Sequence, residues 1–213
     1  TLGSSGTEGR AFVDDIKQAD NDSFLSAFAG GVIFNLANIL LVAAIGIAGM
    51  SVAFPVGIGI ALVLGVIVNY ISNPQGNPVL IFGGVALITL AIILNARAYQ
   101  RLQTNTEGGV SKKGLILSVV SGILMGLFYK YVADSMVTDF NIPQAGKLTP
   151  YTALVIFAIG VVISSFVFNT FQMKRPFAGA PVSFNTYFKG KFKDHVVGML
   201  GGAIWCVGMS LSI

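Results

Sequence analysis

The sequence contains few charged residues and few of the side chains that bind metals or attack substrates. Asp, Glu, Lys and Arg make up 10% of its 213 residues, whereas they make up about a quarter of an average soluble domain. It has one histidine, His195, and one cysteine, Cys206, so it has no second thiol for a disulfide or a metal site. This scarcity argues against a soluble domain, and against an enzyme, which would need clustered His, Asp, Glu or Ser and Lys groups. We expect no metal and no cofactor.

Long apolar stretches occupy most of the chain instead. Hydrophobic residues make up 54% of it, and the mean hydropathy is +0.78. About 20 helical residues cross the hydrocarbon core of a bilayer, and a bilayer accepts only helices or closed barrels. Because the apolar runs are long and continuous, we predict an all-α, polytopic transmembrane helix bundle over residues 24–213, after a polar leader of residues 1–23. The six predicted spans are residues 24–49, 52–71, 78–98, 114–133, 151–171 and 195–213.

The positive charges in the loops predict the orientation of the chain in the membrane. Lys and Arg are enriched in cytoplasmic loops. One set of alternate loops carries nine of them, at positions 97–113 and 174–193, and the other set carries four. We therefore place the central loop and residues 174–193 in the cytoplasm, and the Asp-rich leader outside it. The run FKGKFKDH (Phe188 to His195) interleaves aromatic rings with Lys, but a cytoplasmic membrane anchor explains it more simply than nucleic-acid binding.

The first and sixth spans share a sequence pattern. GGVIFNLAN (Gly30 to Asn38) aligns with GGAIWCVGM (Gly201 to Met209) at a constant offset, so that Phe34 corresponds to Trp205. The two copies enter the membrane from opposite sides, so the pattern predicts an inverted repeat of five helices, a common build of secondary transporters. Chance similarity between two apolar spans is the alternative. The polar start and the apolar end of the sequence further suggest a piece of a protein with about ten spans.

Several stretches resemble one transporter family. They are FNLANILLVAAIGIAGMSVAFPVGIGIALVLG (Phe34 to Gly65), SKKGLILSVVSGILMGLF (Ser111 to Phe128), KLTPYTA (Lys147 to Ala153) and GGAIWCVGM. The chain resembles the ureide permease-like group of the drug/metabolite transporter superfamily, near the glucose/ribose porters and the rhamnose–proton symporters. This resemblance implies a ten-helix carrier with inverted halves. Plant members carry small nitrogen-rich heterocycles such as allantoin and uracil, with protons as the coupling ion.

The central loop departs from those plant members, which have a long loop with a Walker-type motif. Here the loop is NTEGGVSKKG (Asn105 to Gly114), which lacks the GxxxxGK[ST] spacing that holds phosphates. The use of ATP is therefore not expected.

Two amides, Asn35 and Asn38, interrupt the first span. They are three residues apart and so share one helix face. One interpretation is that they hydrogen-bond a neighbouring helix, which is worth about 0.6–2 kcal/mol. The other is that they face a wet cavity and bind a polar, uncharged substrate, because an amide both donates and accepts. Polar groups at membrane depth often mark a pathway.

The second span contains Pro55, followed by Gly57 and Gly59. A proline inside a helix frees a backbone carbonyl, and glycines weaken the helix further. We treat the three residues as a candidate hinge or local break, with a simple packing kink as the alternative.

Three further residues are candidate contacts for the substrate. Tyr129 and Lys130 close the fourth span, where they either lie in the membrane interface or hold a substrate near the outer gate. Trp205 lies deeper in its span than an interfacial aromatic would, so it either stacks on a substrate ring or packs in the core. The acidic residues that could couple protons to transport lie at span edges: Asp134, Asp139 and Asp194.

The favoured function is a secondary carrier that imports a small, polar, uncharged metabolite such as a ureide, a nucleobase or a sugar. An exporter of drugs or amphipathic metabolites on the same fold is the first alternative, because a fold does not fix direction or substrate. A membrane scaffold that transports nothing is the second. In each case we expect an integral protein of the plasma (inner) membrane, whose partners are a small-molecule solute and the lipid bilayer.

Overall fold

The structure, a computed structural model, describes residues 10–72, 74–103, 111–139 and 142–212. Residues 1–9 of the leader and residues 104–110 of the central loop lie outside these ranges. The elements within them are α-helices, apart from one isolated bridge between Met136 and Leu148. In chain order the helices are α1 (Phe12–Gln18), α2 (Asn21–Ala48), α3 (Met50–Ser72), α4 (Pro78–Gln103), α5 (Lys112–Ser135), α6 (Pro150–Lys174), α7 (Phe184–Phe188) and α8 (Phe192–Ser212).

Six of the helices in the described ranges, α2 to α6 and α8, are long and apolar enough to cross a membrane. This confirms the predicted all-α bundle and its six spans. The helices extend somewhat beyond the apolar runs, since their polar ends can reach the headgroup region. Two short helices were not predicted: α1 in the polar leader and α7 in the basic loop before the last span. The count of about ten spans stays a prediction.

Helix α5 lies at the centre of the bundle and packs against α2 and α3. Glycines along α5 permit this close approach, as is usual between helices in lipid. For example, a Cβ atom at Gly122 would lie 2.5 Å from the carbonyl oxygen of Gly57 in α3. Helices α2 and α6 also meet at glycines: a Cβ atom at Gly31 would collide with the carbonyl oxygen of Phe157, and one at Gly160 with that of Phe28. Four spans, α2, α3, α5 and α6, therefore form the packed core.

Helices α2 and α3 are joined by a single residue, Gly49. Its φ of 82° lies in the left-handed region, which favours glycine. Its amide donates to the carbonyl of Ile45, which closes the end of α2. The chain therefore reverses direction between α2 and α3 within one residue.

Helix α1 is held against the segment that leads into α6. The carboxylate of Asp15 is fully buried and accepts hydrogen bonds from the backbone amide (2.8 Å) and the hydroxyl (2.9 Å) of Thr149, the residue before α6. Gln18 donates to the carbonyl of Lys147 (2.9 Å) and accepts from the amide of Gly146 (2.8 Å). We call this end of the bundle, predicted to be extracytoplasmic, the outer end. The opposite end, which holds residues 175–191, is the inner end.

Candidate functional site

Four aromatic rings from four helices meet near the middle of the bundle. Phe34 of α2 is central, with its ring centroid 5.0 Å from Phe128 of α5, 5.4 Å from Phe157 of α6 and 4.5 Å from Trp205 of α8. Phe34 and Phe157 are buried, whereas 42% of Trp205 is exposed. Because Trp205 stacks on Phe34 with an interplanar angle of 30°, one side of the indole is occupied and much of the remainder is open. We call these four residues the aromatic cluster.

Helix α8 runs antiparallel to α2. Its first turn, at the inner end, places His195 against Tyr187 of α7, with ring centroids 4.9 Å apart. Met209, near its other end, lines a groove with Asn69 and Tyr129, which belong to the outer halves of α3 and α5. Helix α2 begins at the outer end, so the two directions are opposite, as an inverted repeat requires. The repeat itself stays a prediction.

Two adjoining cavities lead from the outer end toward the aromatic cluster. The outer cavity, of about 730 Å³, lies between α3, α4, α5 and residues 136–147. The α3–α5 groove, of about 480 Å³, continues from it along α3 and α5 and reaches Phe128 of the cluster. Val66, Asn69 and Tyr129 line both, so together the cavities form one path into the bundle.

The polar groups are unevenly distributed along this path. The outer cavity has many, including the charged side chains of Asp134 and Lys147, whereas the described lining of the α3–α5 groove has two, those of Asn69 and Tyr129. The amide nitrogen of Asn69 donates to the carbonyl of Gly65 at 2.7 Å, which leaves its oxygen to accept a hydrogen bond. Tyr129 presents its ring beside Phe128, at 6.3 Å between centroids. Lys130, in contrast, forms an ion pair with Asp134 at 2.5 Å and lines neither cavity. The two neighbouring residues that were predicted to contact the substrate therefore have different surroundings. Tyr129 lines the path, whereas Lys130 binds a neighbouring carboxylate.

The two amides of the first span have different surroundings. Asn35 is buried and its amide nitrogen donates to the hydroxyl of Ser164 in α6 at 2.8 Å and, more weakly, to the carbonyl of Val161 at 3.4 Å. This contact joins α2 to α6. Asn38, one turn further, is partly exposed and makes no hydrogen bond within the described residues. Neither amide lines the outer cavity or the α3–α5 groove, so their predicted role in binding stays a prediction.

The candidate hinge lies in a helix that continues past it. Helix α3 is unbroken from Met50 to Ser72, and Pro55 is inside it. A Cβ atom at Gly57 would lie 2.8 Å from Leu41 of α2, and one at Gly59 would collide with the side chain of Ile92 of α4. These glycines therefore allow α3 to pack closely on both sides. Bending at this position stays a prediction.

Three features of the described residues were not predicted from the sequence. Asn69 was not among the candidate residues, although it lines both parts of the path. Asp15 was counted only as part of the Asp-rich polar leader, but it is fully buried against Thr149. Polar residues at four- and three-residue intervals in α6 should have indicated one polar face; they are Ser165, Asn169 and Gln172. Within the described residues, no group of three His, Cys, Asp or Glu side chains could hold a metal ion.

The chain matches a known protein family over its first half. A family model described as ureide permease matches residues 1–113, just over half of the 213 residues. No curated protein and no solved structure matches the chain significantly. The matched part contains α1 to α4, and hence Phe34, Val66 and Asn69.

Proposed function

The chain belongs to the ureide permease family of membrane transporters, and from this premise we propose that it is a secondary carrier for a small, polar, uncharged solute. The solute class is a ureide, a nucleobase or a sugar, and the carrier works by alternating access. The observation that carries the proposal is the path from the outer cavity through the α3–α5 groove to the aromatic cluster. Its two parts have the size of ordinary sites for small molecules, about 300–1,000 Å³.

The lining of the deeper part of the path, the α3–α5 groove, supports a solute that is polar but uncharged. Among the residues that the structure describes, no charged side chain lines the α3–α5 groove, so an ion there would lose its hydration without gaining a counter-charge. A neutral solute can instead donate to the amide oxygen of Asn69 and bond the hydroxyl of Tyr129. A flat ring can also contact the exposed part of Trp205.

The packing supports α8 as the element that moves. Helices α2, α3, α5 and α6 meet at glycines, whereas most of α8 is exposed. Trp205 of α8 stacks on aromatic rings of other spans, and Met209 of α8 is buried and lines the α3–α5 groove. A rocking motion of α8 would uncover the aromatic cluster from one end or the other, as alternating access requires. We propose protons as the coupling ion and the plasma (inner) membrane as the location.

Uptake by the full-length protein in cells or liposomes tests this function. Radiolabelled allantoin, uracil and glucose are the first solutes to try. In a Cys206→Ser background, a thiol reagent that modifies Val66→Cys should block uptake, because Val66 lines both cavities. The same reagent on Leu87→Cys should not, because Leu87 is exposed on α4 and lines neither.

The outcomes separate the three functions considered. Uptake in right-side-out vesicles supports an importer, and transport of amphipathic compounds in the outward direction supports the exporter. If none of the solutes moves in either direction, the carrier proposal is wrong and a scaffold is favoured.

A further inference from the structure

The short helix α7 at the inner end has one aromatic face. Ser183 caps this helix, because its hydroxyl accepts a hydrogen bond from a backbone amide of the first turn at 3.2 Å. Phe184, Tyr187 and Phe188 are spaced i, i+3 and i+4, so they lie on the same side of α7. All three are exposed. Exposed apolar side chains that are grouped in this way usually mark a surface that contacts a protein or a membrane.

Two contacts fix the level of α7 relative to the spans on either side of it. The backbone amide of Val182 donates to the carbonyl of Met173, in the last turn of α6, at 2.9 Å. The ring of Tyr187 meets that of His195, in the first turn of α8, with the centroids 4.9 Å apart. Helix α7 therefore lies level with the ends of both spans, where the headgroup region of a bilayer meets its hydrocarbon core.

The aromatic face of α7 is turned toward the apolar length of α6. Its three rings share a cavity of about 480 Å³ with residues of α6 from Val162 to Met173. At about 1.5 Å per residue, this stretch is about 16 Å long. Val162 and Phe166 in it are exposed, as lipid-facing residues are, and the exposed Asn169 makes the lining partly polar. This mixture is typical of the boundary between headgroups and acyl chains.

The residues on both sides of α7 carry positive charge only. From position 174 to position 193 the chain has no Asp or Glu, and its basic residues are Lys174, Arg175, Lys189, Lys191 and Lys193. All of them are exposed. In the part of the chain that the structure describes, none of them forms an ion pair. Positive charge that lacks a partner, next to exposed aromatic rings, is complementary to a membrane surface that contains anionic lipid.

We propose that residues 182–193, here called the interfacial segment, form a binding surface for anionic phospholipids at the inner end of the bundle. The rings of α7 and of Phe192 contact the acyl chains, and the lysines contact the phosphates of the headgroups. Each Lys or Arg near an anionic surface strengthens binding by about fivefold, so the segment prefers anionic to zwitterionic lipid. This adds a lipid class to the membrane anchor predicted from the sequence, and it does not depend on which solute the protein carries.

A fluorophore on a single cysteine tests this surface without requiring transport. Asn185 is exposed and lies one turn before Lys189, so Asn185→Cys in a Cys206→Ser background keeps every ring and lysine of the segment. The labelled protein is reconstituted in liposomes that mix phosphatidylcholine with phosphatidylglycerol, and one of the two lipids carries a nitroxide quencher high on its acyl chain. Quenching should show a relative affinity for phosphatidylglycerol of about fivefold or more. Equal quenching by the two lipids would overturn the proposal.

A second reporter position shows whether the preference belongs to the interfacial segment. Ile71 is 75% exposed in the last turn of α3, at the outer end. The same fluorophore on Ile71→Cys should be quenched by both nitroxide lipids with a relative affinity near one. If Ile71→Cys reports the same preference as Asn185→Cys, the assignment to this segment is wrong.

Removal of the lysines tests the part played by charge. Replacement of Lys189, Lys191 and Lys193 by Gln, all in one protein, should lower the preference by at least about fivefold, the contribution of a single lysine. Lys17→Gln is the control, because Lys17 is exposed on α1 at the outer end, and it should leave the preference unchanged. In the parent, salt at about 1 M shortens the Debye length to about 3 Å and should weaken the preference. A preference that survives both the three replacements and the salt would contradict binding through charge.

Soluble anions distinguish a lipid from other phosphate-bearing partners. Glycerol phosphate and a short RNA oligonucleotide, each present on both sides of the membrane at matched ionic strength, should leave the quenching by phosphatidylglycerol unchanged. If glycerol phosphate abolishes the preference, the segment binds a free phosphate instead of a lipid. If the oligonucleotide abolishes it, the partner is a nucleic acid. Either result would overturn the assignment to a lipid, and neither would affect the proposed transport.

Discussion

The rings of Phe34 and Trp205 stack with their centroids 4.5 Å apart, although they belong to the first and the last of the six spans. They are also the positions that the sequence repeat pairs with each other. A two-fold axis that passes between the two rings would relate their helices, so the contact fits the inverted repeat, which stays a prediction. The two rings differ in exposure, which gives them different expected roles.

Replacement of Trp205 by Ala should reduce uptake by about tenfold or more while the protein stays folded. The indole is 42% exposed, so under the proposed function its loss would remove a surface for the solute rather than a core residue. Phe34→Ala should instead lower the free energy of unfolding by about 3–5 kcal/mol, as expected for a buried Phe. Uptake and thermal melting in detergent, measured on both variants, check this. Normal uptake by Trp205→Ala would show that the indole serves only packing.

Leucine at Asn35 should lower the stability of the protein, whereas leucine at Asn38 should lower uptake and leave the stability unchanged. Asn35→Leu removes the bond to Ser164, so the free energy of unfolding should fall by about 0.6–2 kcal/mol. Asn38→Leu breaks no hydrogen bond of the described residues and should leave the melting temperature unchanged. If the Asn38 amide binds solute, uptake by this variant should fall about tenfold. A folded Asn38→Leu protein with normal uptake would remove Asn38 from the site.

The spans could be predicted because the length and continuity of an apolar run are local properties of the sequence. The partner of Asn35 could not, because Ser164 is 129 residues away and many polar groups of other spans were equally plausible partners. Asp15 was misjudged for a related reason. A carboxylate among polar neighbours usually faces water, and only the position of Thr149, 134 residues further, shows that it is buried. Spacing alone, in contrast, already puts Ser165, Asn169 and Gln172 on one face.

Removal of the Asp15 carboxylate should destabilise the outer end. In Asp15→Ala the buried amide and hydroxyl of Thr149 lose their acceptor, and we expect the free energy of unfolding to fall by about 3 kcal/mol. Asp15→Asn keeps one oxygen that can accept and should lose less. Asp14→Ala is the control, because Asp14 is the exposed neighbour. Equal melting temperatures for Asp15→Ala and Asp14→Ala would show that α1 does not stabilise the bundle.

The orientation of the chain can be tested with cysteines in two exposed loops. Gln75 follows α3 at the outer end, and Lys191 precedes α8 at the inner end. In a Cys206→Ser background, a membrane-impermeant thiol reagent should label Gln75→Cys in intact cells and should label Lys191→Cys after the cells are opened. The reverse pattern would show that the distribution of Lys and Arg predicted the wrong orientation.

Alanine at Gly31 should weaken the contact between α2 and α6. Its methyl group would meet the carbonyl oxygen of Phe157, and forced repacking of this kind costs about 1–3 kcal/mol. Gly46→Ala, on the same helix, is the matched control, since nothing in the described residues lies within 4 Å of a Cβ atom there. Helix propensity favours alanine at both positions. A Gly31→Ala protein as stable as Gly46→Ala would contradict the packing of α2 on α6.

Only one residue, Gly49, connects α2 to α3, so the inner ends of these two helices must stay close together. In the proposed carrier, a solute could not reach the inner side by separating those two ends. The connection from Lys174 to Phe192, which joins α6 to α8, contains 17 residues between these two and includes the short helix α7. A connection of this length would allow α8 to move relative to α2 and α3, which would move together. The inner gate would then open beside α6 and α8, with its stationary side formed by the spans that Gly49 ties together.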